Sequence, residues 1–482
     1  MSQIDKNLVS SVVAEVLLQL REKGVNPTGM PTGACSAVPA QTQFGVYDNM
    51  EDAIDAAQRS YKMLCQKGVA ARRKAVACIR KLAVENAEAW GKMEFEETKI
   101  GKLAHKVEKL RSCIPVVPGV EYLDRTAFSG DAGLTVIDNT PWGVIGAITP
   151  STHSVPTLSG NAINMIAAGN AAVFNTHPGA CKIAAHAIRA YNEAIYKEIG
   201  IPDLLACVKK PTLQSFEIMC KSPTVRLLCV TGGGPVVKAA MNSGKRAICG
   251  GPGNPPVVVD ETADLAKAAR DILAGAAFDN NLLCCGEKEV FVVESVADQL
   301  LAEFGKLKCV RLTREQMDAV VRECFLPYDG KGYPHPKKEF VGKDAAVIAK
   351  AIGLDVPADT EMLFGETDAD HQLVQGEQMM PVMPIVRVPC YKAAIKAALQ
   401  AEHGFRHTCV MHSKNVDRLT EMAQRCDTTL FVKNGPSTAG LGLGGEGFLS
   451  FTIATPTGEG VTTPMTFTRS RRCVMVEGLN LY

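Results

Sequence analysis

Two adjacent cysteines, Cys284 and Cys285, stand in a short polar segment that could present a nucleophile. Apolar spacing predicts a helix over residues 265–278 before them, and residues 289–294 after them are typical of a strand. A thiolate is the best nucleophile among side chains near neutral pH, and a helix-to-strand loop places it at the rim of a domain. The first hypothesis is covalent catalysis through one member of this pair.

The composition argues against several other kinds of protein. The 482 residues are enough for two or three domains, and a net charge of +1 gives no indication of a nucleic-acid partner. No apolar run approaches the roughly 20 residues of a membrane span, and no secretory signal is expected. The 17 cysteines include no CxxC pair and no zinc spacing, which predicts a reducing cytosol, mostly inert thiols and no metal site.

The elements around the cysteine pair indicate a parallel, doubly wound α/β fold, because predicted strands and helices alternate. A glycine-rich hinge at residues 250–256 separates two such stretches, 44–250 and 251–440. Thr262 or Asp264 is expected to cap the helix before the cysteines. The predicted helices are 50–65, 69–93, 159–168, 180–199 and 265–278, and the predicted strands are 134–137, 143–148, 171–175, 225–230, 257–259, 289–294, 382–388 and 429–432.

The N-terminus is predicted to be a separate unit. Residues 1–22 carry an apolar stripe at helical spacing, and residues 23–43 are a flexible linker rich in Pro and Gly. A short tethered helix cannot bury its own stripe, so we expect it to dock on another surface. Packing on its own main domain or on a sister subunit stays open as the alternative. Membrane binding is disfavoured, because its polar face is not rich in Lys or Arg.

A set of motifs extends the pattern along the chain. They are Pro150-Ser-Thr, Asn175-Thr-His-Pro-Gly, the turn Thr231-Gly-Gly-Gly, Gly251-Pro-Gly-Asn-Pro-Pro, Phe278-Asp-Asn-Asn-Leu, Glu377-Gln-Met-Met-Pro-Val, Lys433-Asn-Gly-Pro-Ser, Gly440-Leu-Gly-Leu-Gly-Gly-Glu-Gly, Ala454-Thr-Pro-Thr-Gly-Glu-Gly and Arg469-Ser-Arg-Arg-Cys. Their order resembles the aldehyde dehydrogenase superfamily, and within it the coenzyme-A-acylating branch of bacterial microcompartments. Each glycine-rich piece is weak alone, but the set is specific and covers about residues 44–482.

The resemblance implies an aldehyde dehydrogenase-like α/β fold with a Rossmann-type cofactor domain. It implies an NAD- and coenzyme-A-binding domain at 44–250 with an oligomerisation segment at about 124–140. A catalytic domain at 251–440 and a β oligomerisation arm at 441–482 would follow, giving a dimer or tetramer. Residues 1–22 resemble an encapsulation peptide that binds a shell protein, which implies location inside a microcompartment lumen in a bacterial cytoplasm.

The implied catalytic residues are Cys284, Thr152 and His407. Counting along the family motif assigns the nucleophile to Cys284, with Cys285 as the alternative. Thr152 would donate a hydrogen bond to the oxyanion, or else it caps a helix that begins near Ser154. His407 would accept the coenzyme A proton, or else it is a satisfied surface or core histidine.

The implied cofactor site uses backbone N–H groups of a glycine turn for the NAD pyrophosphate. Asn175 replaces a Lys of hydrolytic relatives, which favours NAD over NADP, and Glu377 would bind the nicotinamide ribose. NAD and coenzyme A are expected to occupy overlapping space in turn. The residues assigned to this site are Thr149, Pro150, Ser151, Asn175, His177, Pro178, Gly179, Thr231, Gly232, Gly233, Gly250 and Glu377.

The implied reaction oxidises a short aliphatic aldehyde, propionaldehyde or acetaldehyde, through a thioester on Cys284 and passes the acyl group to coenzyme A. A hydrolytic enzyme that releases a free acid is disfavoured, because Cys249 occupies the position of the water-activating Glu. A glutamyl-phosphate-reductase-like enzyme is disfavoured by the tail motifs. An idle cargo or scaffold protein is disfavoured by the intact cysteine loop.

Overall fold

The computed structural model of this chain describes residues 43–479. The predicted helix at 1–22 and nearly all of the predicted linker at 23–43 lie outside the described residues. Among the residues that are described, no helix combines the length and the apolar character needed to cross a membrane.

The part of the chain before residue 251 alternates strands and helices around one parallel sheet. Its helices are α1 (Met50–Glu85), α2 (Ala87–Thr98), α3 (Leu103–Glu108), α4 (Ser154–Ala167), α5 (Cys181–Ile199), α6 (Leu213–Lys221) and α7 (Gly234–Met241). Its strands are β1 (Val46–Tyr47), β2 (Thr126–Gly130), β3 (Gly133–Pro141), β4 (Val144–Thr149), β5 (Ala171–Thr176), β6 (Leu205–Val208), β7 (Val225–Thr231) and β8 (Arg246–Gly250).

The first sheet has the strand order β1-β6-β5-β4-β7-β8, and all of its pairs are parallel. The order runs outward in one direction from β4 to β6 and in the other from β7 to β8. Loops diverge where such an order reverses, so the carboxyl ends of β4 and β7 flank a crevice suited to a ligand. The doubly wound architecture predicted from the sequence is confirmed.

The second half repeats the arrangement with a seven-stranded sheet. Its helices are α8 (Leu265–Ala276), α9 (Glu294–Phe304), α10 (Arg314–Cys324), α11 (Ala345–Ala351), α12 (Gln372–Gln375), α13 (Tyr391–Ala401) and α14 (Val416–Cys426). Its strands are β9 (Pro256–Val259), β10 (Glu289–Val293), β11 (Cys309–Leu312), β12 (Met362–Glu366), β13 (Val382–Val388), β14 (Thr408–His412) and β15 (Leu430–Lys433). The parallel order β11-β12-β13-β10-β9-β14-β15 places β9 and β10, which flank the cysteine loop, near its centre.

Two predicted helices differ from the structure. Helix α4 begins at Ser154 instead of residue 159, and all of its side chains are buried, so no polar face marks its start in the sequence. Helices α1 and α2 divide at Asn86, and the predicted break near residue 67 is a kink at Gly68, where φ is +69°. Asp264, and not Thr262, caps α8 by accepting from the backbone N–H of Lys267.

The tail after residue 441 has two parts. Leu449, Phe451 and Phe467 are buried in the apolar core of the first half. A short pair, β16 (Ile453–Ala454) and β17 (Gly460–Val461), lies here. Only the final strand, β18 (Thr468–Val476), is an extended arm, and it pairs antiparallel with β3 in a three-stranded sheet. The predicted domain boundaries stay predictions.

Candidate active site

A cavity of about 510 Å³ opens at the carboxyl ends of β4, β5 and β7. Pro211, Leu213, Phe216 and Val236 add apolar walls that the sequence did not predict. Such walls suit a flat aromatic ring. The predicted cofactor residues that line this cavity are Thr149, Pro150, Ser151, Asn175, His177, Pro178, Thr231, Gly232 and Gly233, whereas Gly179, Gly250 and Glu377 lie outside its lining.

The glycine turn after β7 forms the floor that could hold a phosphate. Gly233 is the N-cap residue of α7, so the free N–H groups of this helix begin at the cavity. A Cβ atom added at Gly232 would meet nothing within 4 Å in the protein. The Thr231 and Thr452 hydroxyls lie 2.9 Å apart, and Gly232 donates to the Gly250 carbonyl at 3.3 Å. Hydrogen bonds to the rest of the protein therefore hold the turn, and no protein atom fills the space beside Gly232.

The polar side chains on the opposite wall are already engaged. The Asn175 amide oxygen accepts from the Ser215 hydroxyl at 2.6 Å, and its nitrogen donates to the Thr212 carbonyl at 3.3 Å. The ring of His177 accepts from the backbone N–H of Gly179 at 3.0 Å. Burial lowers the pKa of His177, so its ring is neutral. The two bonds of Asn175 fix the orientation of its amide and leave its second N–H for a bound ligand.

Cys284 lies in the loop between a short 3₁₀ turn, Phe278–Asn281, and β10. Its side chain is half-buried, whereas Cys285 is fully buried. Burial raises the pKa of Cys284 to about 12, and the Glu377 carboxylate contributes to the rise. Lys288 and the backbone N–H groups of Cys284 and Cys285 act in the opposite direction. The thiol is thus protonated at rest, with hydrogen-bond donors already placed around the sulfur.

The turn before Cys284 has an unusual backbone. Asp279, Asn280 and Asn281 have φ values of +49°, +57° and +65°, a left-handed run that side chains normally disfavour. Hydrogen bonds from other segments hold each of them. Asp279 accepts from the Lys102 N–H at 2.8 Å, Asn280 donates to the Gly342 carbonyl at 3.0 Å, and Asn281 donates to the Ala276 and Glu287 carbonyls at 2.9 Å.

Lys288 supports the same loop from below. It is fully buried, and its ammonium donates to the carbonyl of Leu283 at 3.1 Å and to the carbonyl and side-chain oxygens of Asn281 at 3.0 and 2.6 Å. Three acceptors satisfy its three N–H groups, so the cation needs no counter-ion in direct contact. Its charge still favours the thiolate form of Cys284.

Gly253 lies next to the nucleophile and next to two other predicted site residues, Glu377 and His407. A Cβ atom there would lie 2.5 Å from the Cys284 carbonyl oxygen and 2.9 Å from Cγ of His407. The backbone N–H of Gly253 donates to the carboxylate of Glu377, whose charge reaches Cys284. The structure therefore brings Cys284, Glu377 and His407 together around one glycine.

His407 is fully buried, and its Nδ1 lies 2.8 Å from the Thr408 hydroxyl. Its Nε2 has no hydrogen-bond partner. Burial lowers the pKa of His407 to about 3, with the charge of Lys288 adding to the effect. The ring is neutral and has one free nitrogen, and it becomes a useful base only if a bound ligand changes its surroundings.

Thr152 lies half-buried in the turn between β4 and α4. The N-cap residue of α4 is His153, without a side-chain cap, and the Val155 N–H donates to Glu94 Oε2 at 3.0 Å. Thr152 therefore does not cap this helix, and that alternative is wrong. Its carbonyl oxygen accepts from Nζ of Lys106 at 2.6 Å.

Cys249 is the next-to-last residue of β8 and is fully buried. Its backbone N–H donates to the Thr457 hydroxyl at 3.0 Å. Burial raises its pKa to about 11, with the Glu459 carboxylate adding to the rise. The position where the hydrolytic pattern has an acid thus holds a neutral thiol.

Sequence reasoning missed the buried charged residues Glu94, Lys106, Lys109 and Lys288. All four are 0–1% exposed. Charged residues at helical spacing normally form a solvated face, so their pattern carries no signal of burial. No local signal in the sequence marks them as buried. In the structure, His153, the residue after the Pro150-Ser-Thr motif, contacts Lys109.

Comparison with known proteins agrees with this geometry. The family model described as "Aldehyde dehydrogenase family" matches residues 32–315. The chain is 43% identical, over 98% of each sequence, to an acetaldehyde dehydrogenase (acetylating) of Bilophila wadsworthia. A propionaldehyde dehydrogenase structure from a Clostridium phytofermentans fucose-utilisation microcompartment superposes with a TM-score of 0.88 at 43% identity, covering 91% of this chain and 100% of that one.

A second solved relative is a Rhodopseudomonas palustris propionaldehyde dehydrogenase with bound CoA and an acylated cysteine. It has a TM-score of 0.86 and 42% identity, covering 91% of this chain and all of its own. The residues that the family model matches include the first sheet and the cysteine loop. The chain belongs to the aldehyde dehydrogenase family, and within it to the CoA-acylating aldehyde dehydrogenases.

Proposed function

We propose that this chain oxidises propionaldehyde or acetaldehyde with NAD through a thioester on Cys284 and transfers the acyl group to coenzyme A. The observation that carries the proposal is the combination of two features. A half-buried thiol lies among hydrogen-bond donors, and the position of the water-activating acid holds the buried Cys249.

The first half-reaction begins with the Cys284 thiol, which is partly exposed and must pass its proton to solvent water. A pKa of about 12 leaves roughly one thiol in 10⁴ to 10⁵ ionised near pH 7.5. Lys288 and the N–H groups of Cys284 and Cys285 favour the anion as it forms. Attack on the aldehyde carbonyl gives a thiohemiacetal whose oxyanion the N–H of Cys284 and the hydroxyl of Thr152 would stabilise.

The cavity fits a dinucleotide. Gly232 leaves open space at this turn, and the backbone N–H groups of Gly233 and Gly234 could donate to a pyrophosphate. The apolar walls suit an adenine ring. NAD bound there supplies the hydride acceptor. Glu377 would hold the nicotinamide ribose beside Cys284. No Lys or Arg is among the residues that line the cavity, which favours NAD over NADP.

The second half-reaction replaces the enzyme thioester by a coenzyme A thioester. Exchange between two thioesters is close to thermoneutral, so the acyl group keeps its activation. The incoming thiol is partly ionised near neutral pH, and Nε2 of His407, free of other partners, could accept its proton. Water has no such advantage, because Cys249 cannot act as a general base while its pKa is raised.

We also propose an assembly and a location for this chain. The sheet formed by β2, β3 and β18 exposes Phe128, Val474, Met475 and Val476, an apolar surface suited to a second copy of this chain. A dimer or tetramer would bury it. Residues 1–22 would bind a shell protein and hold the enzyme in a microcompartment lumen of a bacterial cytoplasm.

The acyl-enzyme provides a direct test of the chemistry. The protein is incubated with propionaldehyde and NAD without coenzyme A, and its mass is measured before and after digestion. We expect one propionyl group on the peptide that carries Cys284, and its release as propionyl-CoA when coenzyme A is added. An unmodified peptide, or an acyl group that leaves equally fast without coenzyme A, would contradict the proposal.

A further inference from the structure

Four fully buried charged residues form a cluster between the first half of the chain and the cysteine loop. Glu94 comes from α2, Lys106 from α3, Lys109 from the turn that follows α3, and Asp279 from the turn before Cys284. Each is 0–1% exposed. None of them takes part in the chemistry proposed above, and burying four charges is costly unless they are paired and hydrogen-bonded with one another.

Lys106 contacts three segments at once. Its Nζ donates to Oε1 of Glu94 at 3.1 Å and to the carbonyl oxygen of Thr152 at 2.6 Å, and it lies 3.5 Å from Oδ2 of Asp279. Each of its three N–H groups therefore has an acceptor on a different segment. One ammonium group joins the turn of Thr152 to the turn that leads into Cys284.

Lys109 and His153 form a second connection between the same two turns. Nζ of Lys109 lies 2.8 Å from Nδ1 of His153 and pairs with Oδ2 of Asp279. The His153 ring also hydrogen-bonds to the backbone of Leu282, two residues before the nucleophile. Burial, and then the charges of Lys109 and Lys106, keep the pKa of His153 well below its usual value, so the ring is neutral.

The charges in the cluster balance. Two cations face two carboxylates, and the charges of Lys109 and Lys106 hold the pKa of Asp279 below its usual range although burial opposes this. Glu94 also accepts from the Val155 N–H, so it restrains the residue three positions after Thr152. The Thr152 turn is thus fixed through its carbonyl, through His153 and through the start of α4.

We propose that Lys106 is a positioning residue of the acylation half-reaction, which sets the Thr152 turn against the nucleophile loop. It touches neither substrate nor cofactor. It holds one peptide group of Thr152 and one carboxylate of the Cys284 loop at a fixed separation. The sulfur then reaches the carbon, and the Thr152 hydroxyl the oxygen, of the same aldehyde carbonyl. This inference rests on the proposed function, because it assigns Thr152 to the oxyanion.

The test is a mutant cycle on the pre-steady-state burst of NADH that wild-type protein forms with propionaldehyde and NAD in the absence of coenzyme A. The variant Lys106→Met/Glu94→Gln removes one cation and one carboxylate, so the cluster stays balanced, and the Gln amide oxygen can still accept from Val155. It is combined with Thr152→Val. Arg418→Met/Asp260→Asn removes another ion pair, 3.0 Å long and remote from the loop, as the matched control.

Misplacement of a reacting group by about 1 Å costs on the order of 100-fold, so the Lys106→Met/Glu94→Gln variant should lower the burst rate about 10- to 100-fold. Thr152→Val should lower it by roughly 100-fold or more. The combined variant should be no more than about twofold slower than Thr152→Val alone, because both changes remove one interaction. The KM for NAD and the control variant's burst rate should stay near wild type.

Three results would overturn the inference. They are a wild-type burst rate in the Lys106→Met/Glu94→Gln variant, a combined effect equal to the product of the two separate ones, and no effect of Thr152→Val. Circular dichroism and the melting temperature of each variant show whether it is folded. A general loss of folding would make the combined effect equal to the product of the separate effects, and that result counts against positioning. If wild type shows neither a burst nor turnover dependent on coenzyme A, the proposed function itself fails.

Discussion

At the scale of single residues, the resting state of Cys284 sets the chemistry. Burial and the charge of Glu377 both raise the pKa of the Cys284 thiol. A protonated thiol is a poor target for oxidation as well as a poor nucleophile. The neighbouring Cys285 is fully buried with a pKa well above its usual value, so it competes little for labelling reagents.

Replacing Glu377 by Gln tests this electrostatic arrangement. The change removes a negative charge that raises the pKa of Cys284, so the pKa falls and the thiolate fraction at a given pH rises. Alkylation of Cys284 by iodoacetamide near pH 8 should become faster, by about tenfold for each unit by which the pKa falls. The KM for NAD should rise at the same time. The exposed Glu217→Gln serves as the control, and an unchanged or slower alkylation would contradict the arrangement.

Cys249 gives a second prediction for a single residue. Cys249→Glu places a carboxylate where the hydrolytic pattern has one, so slow NADH formation without coenzyme A should appear, with propionate as the product. Cys249→Gln has the same size without the acid and should show no such turnover. Equal rates without coenzyme A in both variants would contradict the prediction that hydrolysis of the thioester is slow because Cys249 stands in place of an acid.

At the scale of elements, the sequence predicts which segments form strands and helices better than it predicts where each of them begins and ends. The strands at 225–230, 257–259 and 382–388 are apolar and bounded by Gly or Pro, so their predicted positions agree with the structure to within a residue. The start of helix α4 was predicted five residues too late, because all of its side chains are buried and no polar face marks where it begins. Its true start depends on Glu94, which is 60 residues away in the chain and leaves no local signal.

Two glycines in neighbouring turns should respond differently to Ala. Neither has a left-handed φ, so only space decides the outcome. At Gly232 the added Cβ meets no protein atom within 4 Å, so the melting temperature should hold while the KM for NAD rises several-fold. At Gly253 it would lie 2.5 Å from the Cys284 carbonyl, so kcat should fall more than 100-fold even at saturating NAD. The reverse pattern would contradict the placement of both turns.

At the scale of the whole molecule, the sequence predicts two α/β stretches and a cysteine loop in the second of them. It does not reveal that residues 449–467 return to the first core, because only the folded chain brings Phe451 and Ile453 beside the site. The buried network of Lys106 and Asp279 is hidden for the same reason, since its members are 173 positions apart.

The exposed edge formed by β18 leads to a prediction about assembly. Val474 and Val476 are 54% and 70% exposed on alternate positions of this strand, which is unfavourable unless another copy covers them. Replacing both by Asp should lower the molar mass measured by light scattering to that of a smaller species. Val416→Asp, at a 71% exposed position on α14, should leave the mass unchanged. A monomeric wild type would contradict this use of the strand.

The central claim is acyl transfer to coenzyme A through Cys284, and steady-state NADH formation tests it most directly. Wild type and Cys284→Ser receive propionaldehyde and NAD, with and without coenzyme A. The account predicts sustained turnover only in wild type with coenzyme A, with at most one NADH per active site when coenzyme A is absent. Sustained turnover without coenzyme A, or turnover that survives in Cys284→Ser, would contradict it.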